Sequence, residues 1–350
     1  MQFNLNKLVR ENIKTLKPYS SARHEFTGKA SVFLDANENA YGSPLAEKFN
    51  RYPDPLQWQL KFQLARIKGV PAENIFIGNG SDEVIDLAFR IFCNPGKDNV
   101  VICPPTYGMY EVSANINDVA IKKVNLTKGF QLDADGILEA VDANTKLLFI
   151  CSPNNPTGNN MKREDAEVLL NNFPGIVLID EAYINYSRQK TFIQELTDYP
   201  NLIVMQTLSK AWGLAALRLG LCYASMDIID LYNKVKPPYN INEASQQLGL
   251  EALNGTETVN HWIKETVQQK EMLAKALPLF SFVEKIYPSD ANFILVKVKD
   301  ADSLYGHLSS KEVIVRNRSK DVHCESCLRI TVGTPEENNR LIELLKLYNQ

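Results

Sequence analysis

The chain has 350 residues, 38 Lys+Arg against 41 Asp+Glu for a net charge of −3, and 45% apolar residues, the balance of an ordinary globular protein. At roughly 150 residues per domain this length allows two domains, or one large α/β unit with a smaller companion. No dense Lys/Arg block is present, which argues against nucleic acid or an anionic membrane as the main partner, because such surfaces need concentrated positive charge. Any anion the protein binds is expected to be held locally.

The apolar runs, such as LLFIC at 147–151 and GIVLI at 175–179, fall far short of the roughly 18 residues of a membrane span. The N-terminus, MQFNLNKLVRENIKTLKPYS, mixes charges into a helical pattern and lacks the apolar core of a signal peptide. A cytoplasmic location is the expectation. Cys93, Cys103, Cys151, Cys222, Cys324 and Cys327 are thinly spread and read as reduced thiols.

In chain order, residues 3–17 alternate apolar and charged positions as one short amphipathic helix would, up to the turn-prone Lys17-Pro18-Tyr19, and a polar arm follows. From about residue 55 a unit repeats in which a helical stretch precedes a short β-branched run: 54–68 then NIFIG, 82–92 then NVVIC, 164–172 then GIVLID. Short apolar strands alternating with helices predict a mostly parallel sheet covered on both faces, an α/β/α large domain. After NLIVMQ at 201–206, residues 226–236 and 242–275 read as helices, the second one long. NFILVKV, VIVR and LRITV are strand-like, and 335–347 closes as a helix. The predicted organisation is a large domain over 46–245, a smaller α+β domain over 246–350, and an arm over 1–45 contributing to the smaller domain.

Four polar clusters sit where apolar strands end, the place where open α/β sheets keep their ligand crevice. In Gly78-Asn79-Gly80-Ser81-Asp82-Glu83 the glycines permit a tight turn, and the first N–H groups of the next helix, with its dipole, suit a phosphate. A plain N-cap by Ser81 or Asp82 is the competing explanation. Ser152-Pro153-Asn154-Asn155-Pro156-Thr157-Gly158 fixes an irregular loop that can aim the amides of Asn154 and Asn155 at a ligand, or is a structural turn. Asp180 in Asp180-Glu181-Ala182-Tyr183 leaves a buried strand and needs a cationic or hydrogen-bonding partner, or is an internal salt bridge. Lys210 in Thr207-Leu208-Ser209-Lys210-Ala211-Trp212-Gly213, with Arg218 beyond, is flanked by small and apolar residues that lower a lysine toward the neutral amine of Schiff-base chemistry. A snorkelling surface lysine is the alternative. An anion-binding turn, an oriented amide, a buried carboxylate and a reactive lysine at successive strand ends together match the needs of pyridoxal 5′-phosphate.

With these motifs the chain resembles the fold-type I, class-II pyridoxal-phosphate aminotransferases over nearly its full length, and within them the histidinol-phosphate aminotransferase branch. The resemblance rests on Leu8-Val9-Arg10-Glu11-Asn12, Leu34-Asp35-Ala36-Asn37-Glu38-Asn39, Arg51-Tyr52-Pro53-Asp54-Pro55, Pro105-Thr106-Tyr107-Gly108-Met109-Tyr110, SPNNPTG, DEAY, TLSKAWGLAALRLG and Leu328-Arg329-Ile330-Thr331-Val332-Gly333-Thr334. It implies that Lys210 carries the cofactor and acts as the base of the proton shift. Asp180 would pair with the ring nitrogen, Asn155 and Tyr183 would hydrogen-bond the phenolic oxygen, and Tyr107 would stack on the ring. The backbone N–H groups of Ser81, Asp82 and Glu83, with the side chains of Ser209 and Arg218 alongside, would hold the cofactor phosphate, and Tyr52 would reach that phosphate from the other subunit of a homodimer. Arg329 and Arg316 would bind the substrate anion, with Asn37 and Tyr19 lining the site and Tyr19 closing over it. The implied substrates are L-histidinol phosphate and the glutamate/2-oxoglutarate pair.

Three readings compete with it: an aromatic aminotransferase, a threonine-phosphate decarboxylase, and a non-catalytic cofactor-binding regulatory module. Against the last stand the retained lysine and the lack of a basic appendage. His323-Cys324-x-x-Cys327 is a single CxxC without a second pair, so no metal is expected.

Overall fold

The computed structural model describes residues 3–19 and 31–348. Seven strands form the large sheet: β1 (Ile75–Asn79), β2 (Asn99–Ile102), β3 (Ala120–Lys123), β4 (Thr145–Cys151), β5 (Ile176–Asp180), β6 (Leu202–Thr207) and β7 (Leu219–Ala224). Their order is β1-β7-β6-β5-β4-β2-β3. Neighbours from β6 through β3 run parallel, whereas β7 runs antiparallel to both β1 and β6. Alternate residues feed two cores, one on each face: Ile75, Ile77, Leu148 and Ile150 enter one, Phe76, Leu147 and Phe149 the other.

The helices are α1 (Leu5–Leu8), α2 (Glu11–Lys14), α3 (Trp58–Lys68), α4 (Ser81–Phe92), α5 (Met109–Ile116), α6 (Ala134–Glu139), α7 (Arg163–Asn172), α8 (Met226–Val235), α9 (Glu243–Ala252), α10 (Thr256–Ala276), α11 (Ala301–Ser310) and α12 (Pro335–Tyr348). A second sheet of β8 (Val283–Ile286), β9 (Phe293–Val298), β10 (Arg316–Asn317) and β11 (Cys327–Thr331) is wholly antiparallel, in the order β10-β11-β9-β8. Its core joins Ile294, Val296, Leu328 and Ile330 to Leu273, Leu304 and Leu341 from α10, α11 and α12.

The expected α/β architecture with a smaller α+β unit is present, with local corrections. The single helix expected over 3–17 is two short turns, broken because Val9 and Arg10 take extended ψ angles. There the Arg10 N–H donates to the Ile91 carbonyl at 3.1 Å and its Nη1 to the Arg90 carbonyl at 2.9 Å. Val9 and Ile13 are buried with α4 and α8, so this part of the arm packs on the large unit and not on the smaller one. The helix expected from residue 54 starts at Trp58, because the Asp54 carboxylate accepts from the Leu56 and Trp58 N–H groups and holds a turn. The long helix expected over 242–275 is split into α9 and α10 by a 3₁₀ turn at Leu253–Gly255, where Asn254-Gly255 is a weak helix former. β7, β3 and β8 were not separated by the sequence pattern, and the VIVR strand is reduced to Arg316–Asn317.

Candidate active site

A cavity of about 520 Å³ opens where β4, β5 and β6 end and β7 begins, with β10 and β11 of the smaller unit forming its far wall. The strand ends place the chemistry. Asp180 is the last residue of β5, Cys151 of β4 and Thr207 of β6, so each turns out of the core at the same edge.

Asp180 is 3% exposed and has two donors. The Tyr110 hydroxyl donates to its Oδ2 at 2.7 Å, and the Ala182 N–H donates to its Oδ1 at 3.0 Å. Burial pushes the carboxyl up to about 6, against the pull of the Tyr110 and Ala182 hydrogen bonds and of the Lys210 charge. Lys210 projects from the turn after β6 with open access to the cavity, its Nζ 5.7 Å from the Tyr183 ring centre. The surrounding walls, and then the Arg329 guanidinium, lower its proton affinity, opposed by Asp180. Tyr183 is buried edge-on against Phe293 at 5.1 Å, and burial raises its hydroxyl well above the ordinary range.

At the start of α4, Gly80 takes φ +74° and caps the helix with no side chain bonded to the first N–H groups. Its N–H donates to the Arg218 carbonyl at 2.6 Å, and Gly220 of β7 lies so close that a Cβ there would strike the Gly80 and Ser81 backbone. Arg218, at φ +55°, brings its Nη2 within 3.3 Å of Asp82 Oδ2, and the Tyr107 hydroxyl donates to Asp82 Oδ1 at 3.1 Å. Ser209 lines the same end. Glu83 does not line the cavity: its Oε2 accepts from the Asn79 N–H at 2.5 Å and from Asn240 Nδ2 at 2.9 Å, so only its backbone can serve an anion.

The two asparagines of SPNNPTG separate. Asn154 is fully buried and structural, its Nδ2 donating to the Pro105 carbonyl and to Thr157 Oγ1, both at 2.8 Å. Asn155 lines the cavity, and its Oδ1 accepts from Arg329 Nη1 at 2.5 Å, joining the two units across the site. Arg316 lies opposite Arg329 in the β10–β11 pair, and both line the cavity.

Three expected residues lie elsewhere in the chain. Tyr52 is half-exposed, its ring stacked on Tyr239 at 4.4 Å, and Asn37 shares that hollow with it. Tyr19 is 75% exposed beside Pro55 and Lys236. Tyr19 and Asn37 belong to the arm over 1–45 and Tyr52 to the stretch just after it, and none of the three lines the cavity. Sequence reasoning missed two residues that the site contains. Tyr110, in the first turn of α5, follows Tyr107 by three residues, and the two rings pack edge-on at 5.6 Å. Arg318 follows Arg316 by two, the strand period that puts both on one side.

The residues present fit a pyridoxal phosphate. A carboxylate only 3% exposed with no ion-pair partner among the described residues matches a protonated ring nitrogen, and a glycine turn pressed against β7 beside an arginine matches a phosphate seat. No group of three or more His, Cys, Asp or Glu among the described residues could hold a metal ion. All six cysteines are free and buried.

Comparison with known proteins matches residues 31–345 to the model of aminotransferase class I and II. The chain belongs to this family. The aminotransferase is 53% identical over 348 residues to a histidinol-phosphate aminotransferase of Cytophaga hutchinsonii, covering 99% of this chain and 100% of the relative. It is likewise 53% identical to a histidinol-phosphate aminotransferase of Parabacteroides distasonis, with 98% of each covered. Among solved structures it resembles, at a TM-score of 0.79 and 22% identity, the Sinorhizobium meliloti histidinol-phosphate aminotransferase in complex with pyridoxal-5′-phosphate, covering 89% of this chain and 90% of that one. The fold of this aminotransferase is thus the fold-type I architecture.

Proposed function

We propose that the protein is a pyridoxal-phosphate-dependent histidinol-phosphate aminotransferase of L-histidine biosynthesis. In this role it moves the amino group of L-histidinol phosphate to 2-oxoglutarate, giving imidazole-acetol phosphate and L-glutamate. The observation that carries the reading is the convergence of Lys210, Asp180 and a set of arginines on one cavity, in a chain half identical end to end to enzymes of that name. No helix among the described residues is long and apolar enough to cross a membrane, and the reading includes a cytoplasmic enzyme.

When bound, the cofactor supplies an electron sink for the carbanion left by loss of the substrate α-proton. Lys210 Nζ, held short of full basicity by its surroundings, would hold the cofactor and would carry the substrate α-proton from one carbon to the other. Asp180 keeps a proton on the ring nitrogen. Asn155, whose Oδ1 is taken by Arg329, offers its Nδ2 to the phenolic oxygen together with the Tyr183 hydroxyl. Tyr107 covers the ring. The Ser81–Glu83 N–H groups, Ser209 and Arg218 neutralise the cofactor phosphate, with Arg218 exchanging Asp82 for it. Arg329 and Arg316 hold the carboxylate of glutamate or the phosphate of histidinol phosphate.

Tyr52, Asn37 and Tyr19 serve the neighbouring subunit's site in a homodimer. The exposed apolar side chains Val32, Leu34, Tyr41 and Leu45 on the same stretch of chain support burial of that stretch by a second copy.

The test is a half-reaction. Holoenzyme mixed with L-histidinol phosphate, without 2-oxoglutarate, should convert its cofactor absorbance from the aldehyde to the amine form. No conversion would overturn the assignment.

A further inference from the structure

The guanidinium of Arg318 takes part in no step above, yet it lines the cavity with Arg316 and Arg329. We propose that Arg318 is a specificity-determining residue: with Arg316 and Arg329 it makes the far end of the cavity fit a phosphate-monoester dianion in preference to a carboxylate. The inference rests on the proposed reaction only for the names of the two substrates.

The placement follows from the β10–β11 ladder. Arg316 is paired with Arg329, and the Arg318 N–H donates to the Cys327 carbonyl at 2.9 Å, extending the same antiparallel register one step. Residues two apart on a strand share a face, so the three side chains stand together on the cavity side. Like charges directly opposed across an antiparallel pair are unfavourable. Compensation is sparse: among the described residues Arg318 Nε has one carboxylate, Asp321 Oδ2 at 2.7 Å, while Arg316 and Arg329 have no ion-pair partner. Arg329 is bonded only to the neutral Asn155 amide, and its Nε is buried without an acceptor. Such a cluster is unfinished without an external anion.

The size of that anion separates the two substrates. A carboxylate carries one charge and two oxygens, which a single arginine fork satisfies. A phosphate monoester carries about −1.5 to −2 charges and three acceptor oxygens. The additional oxygen and charge have a partner only where a second and third guanidinium are present. Asp321 is held beside Arg318 by a turn in which the Asp321 N–H donates to the Arg318 carbonyl at 2.9 Å, but Arg318 Nε and Asp321 Oδ2, 2.7 Å apart, pair by charge without hydrogen-bond geometry, so the guanidinium is still short of acceptors.

The test uses holoenzyme, whose cofactor seat is filled, with methyl phosphate and glutarate as non-reacting ligands titrated through the cofactor absorbance. Arg318→Gln is expected to weaken methyl phosphate about tenfold or more while glutarate changes less than about twofold. The KM for histidinol phosphate should rise in step, and the KM for glutamate should not. Arg318→Lys, which keeps the charge and loses the fork, should fall between. Equal weakening of both ligands, or of neither, overturns the proposal. Asp321→Asn removes the ion pair and leaves the guanidinium in place, so it should retain a preference for phosphate. Loss of the preference in both variants, with equal falls in melting temperature, would mean that the pair only braces the loop, and would also overturn it. A wild-type enzyme that binds methyl phosphate as expected but fails to convert histidinol phosphate refutes the proposed reaction and leaves the role of Arg318 standing.

Discussion

The Tyr110 hydroxyl donates to Asp180 Oδ2 at 2.7 Å, in a place where neither residue meets solvent. Tyr110 is further fixed by its ring stacked on Phe149 at 4.8 Å, so the donor has little freedom to turn away. It stabilises the ionised carboxylate that, in the proposed function, pairs with the cofactor ring nitrogen. Tyr110→Phe should raise the Asp180 carboxyl above its value of about 6 and weaken cofactor retention by about 1.5–3 kcal/mol, the worth of a hydrogen bond to a charged group. Equilibrium dialysis of cofactor and the pH dependence of its absorbance measure both effects. Unchanged retention and an unchanged pH profile would count against a positioning role.

Asp180 should also cost the cofactor-free protein stability. Its folded carboxyl is raised from 3.8 to about 6, so between those values the folded state binds more protons than the unfolded chain, and stability falls as pH rises through the window. The penalty is full above about pH 6 and absent below about 3.8. Asp180→Asn should therefore stabilise the cofactor-free protein at pH 8 by up to the order of 3 kcal/mol, seen as a raised melting temperature, and give no gain near pH 4. The same variant should lose nearly all transamination. Thermal melts at the two pH values decide it.

Gly220 is a glycine because the Gly80–Ser81 backbone occupies the space of its Cβ. Gly220→Ala should push β7 from the α4 turn at a cost of about 1–3 kcal/mol, and should weaken cofactor binding because the displaced turn carries the phosphate-facing N–H groups. Gly213→Ala is a useful contrast: it meets no neighbour but sits at φ +68° in the Lys210 turn, so its cost is backbone strain there and not a push against the α4 turn. Chemical denaturation and cofactor titration of both variants separate the two effects.

Shared sites can be tested by mixing. Lys210→Ala and Tyr52→Phe are each expected to be impaired alone. Hybrid dimers formed by denaturing and refolding the two together contain one site with both native residues, and activity should return above the sum of the separate proteins. No recovery, with hybrids verified by mass, would show that Tyr52 does not serve the partner.

Strand ends made much of this site legible in the sequence, because a polar residue closing an apolar β-branched run marks the edge of a buried sheet. Asp180 after GIVL, Asn155 after LLFIC and Lys210 after NLIVMQ all fall at one cavity for that reason. Tyr110 and Arg318 were within reach of the helical and strand periods, but a tyrosine in an apolar helix face and an arginine on a short strand have ordinary structural uses, and nothing local marks them out. The arm was less legible still. Val9 and Ile13 anchor to α4 through long-range packing, which periodicity within the arm does not encode, and Tyr52 is placed by its ring stacked on Tyr239, a partner far away in the sequence. β7 was hidden because LGLCYA continues the glycine-rich turn after Lys210 without a break signal.

The antiparallel β7 also sets an order of assembly. Its place between β1 and β6 means that β1, the first strand made, has no other strand beside it among the described residues. On a chain emerging from the ribosome, β1 and the turn into α4 must wait until residue 224 has been synthesised before they can join the sheet. Gly80 and the Arg218 carbonyl, 138 positions apart, meet only then. The last large-sheet strand to appear therefore completes both the oldest part of the core and the phosphate seat. A nascent chain stalled before β7 should expose the apolar face of β1 and retain no cofactor, whereas one stalled after it should already possess the seat and lack only the arginines of the smaller unit.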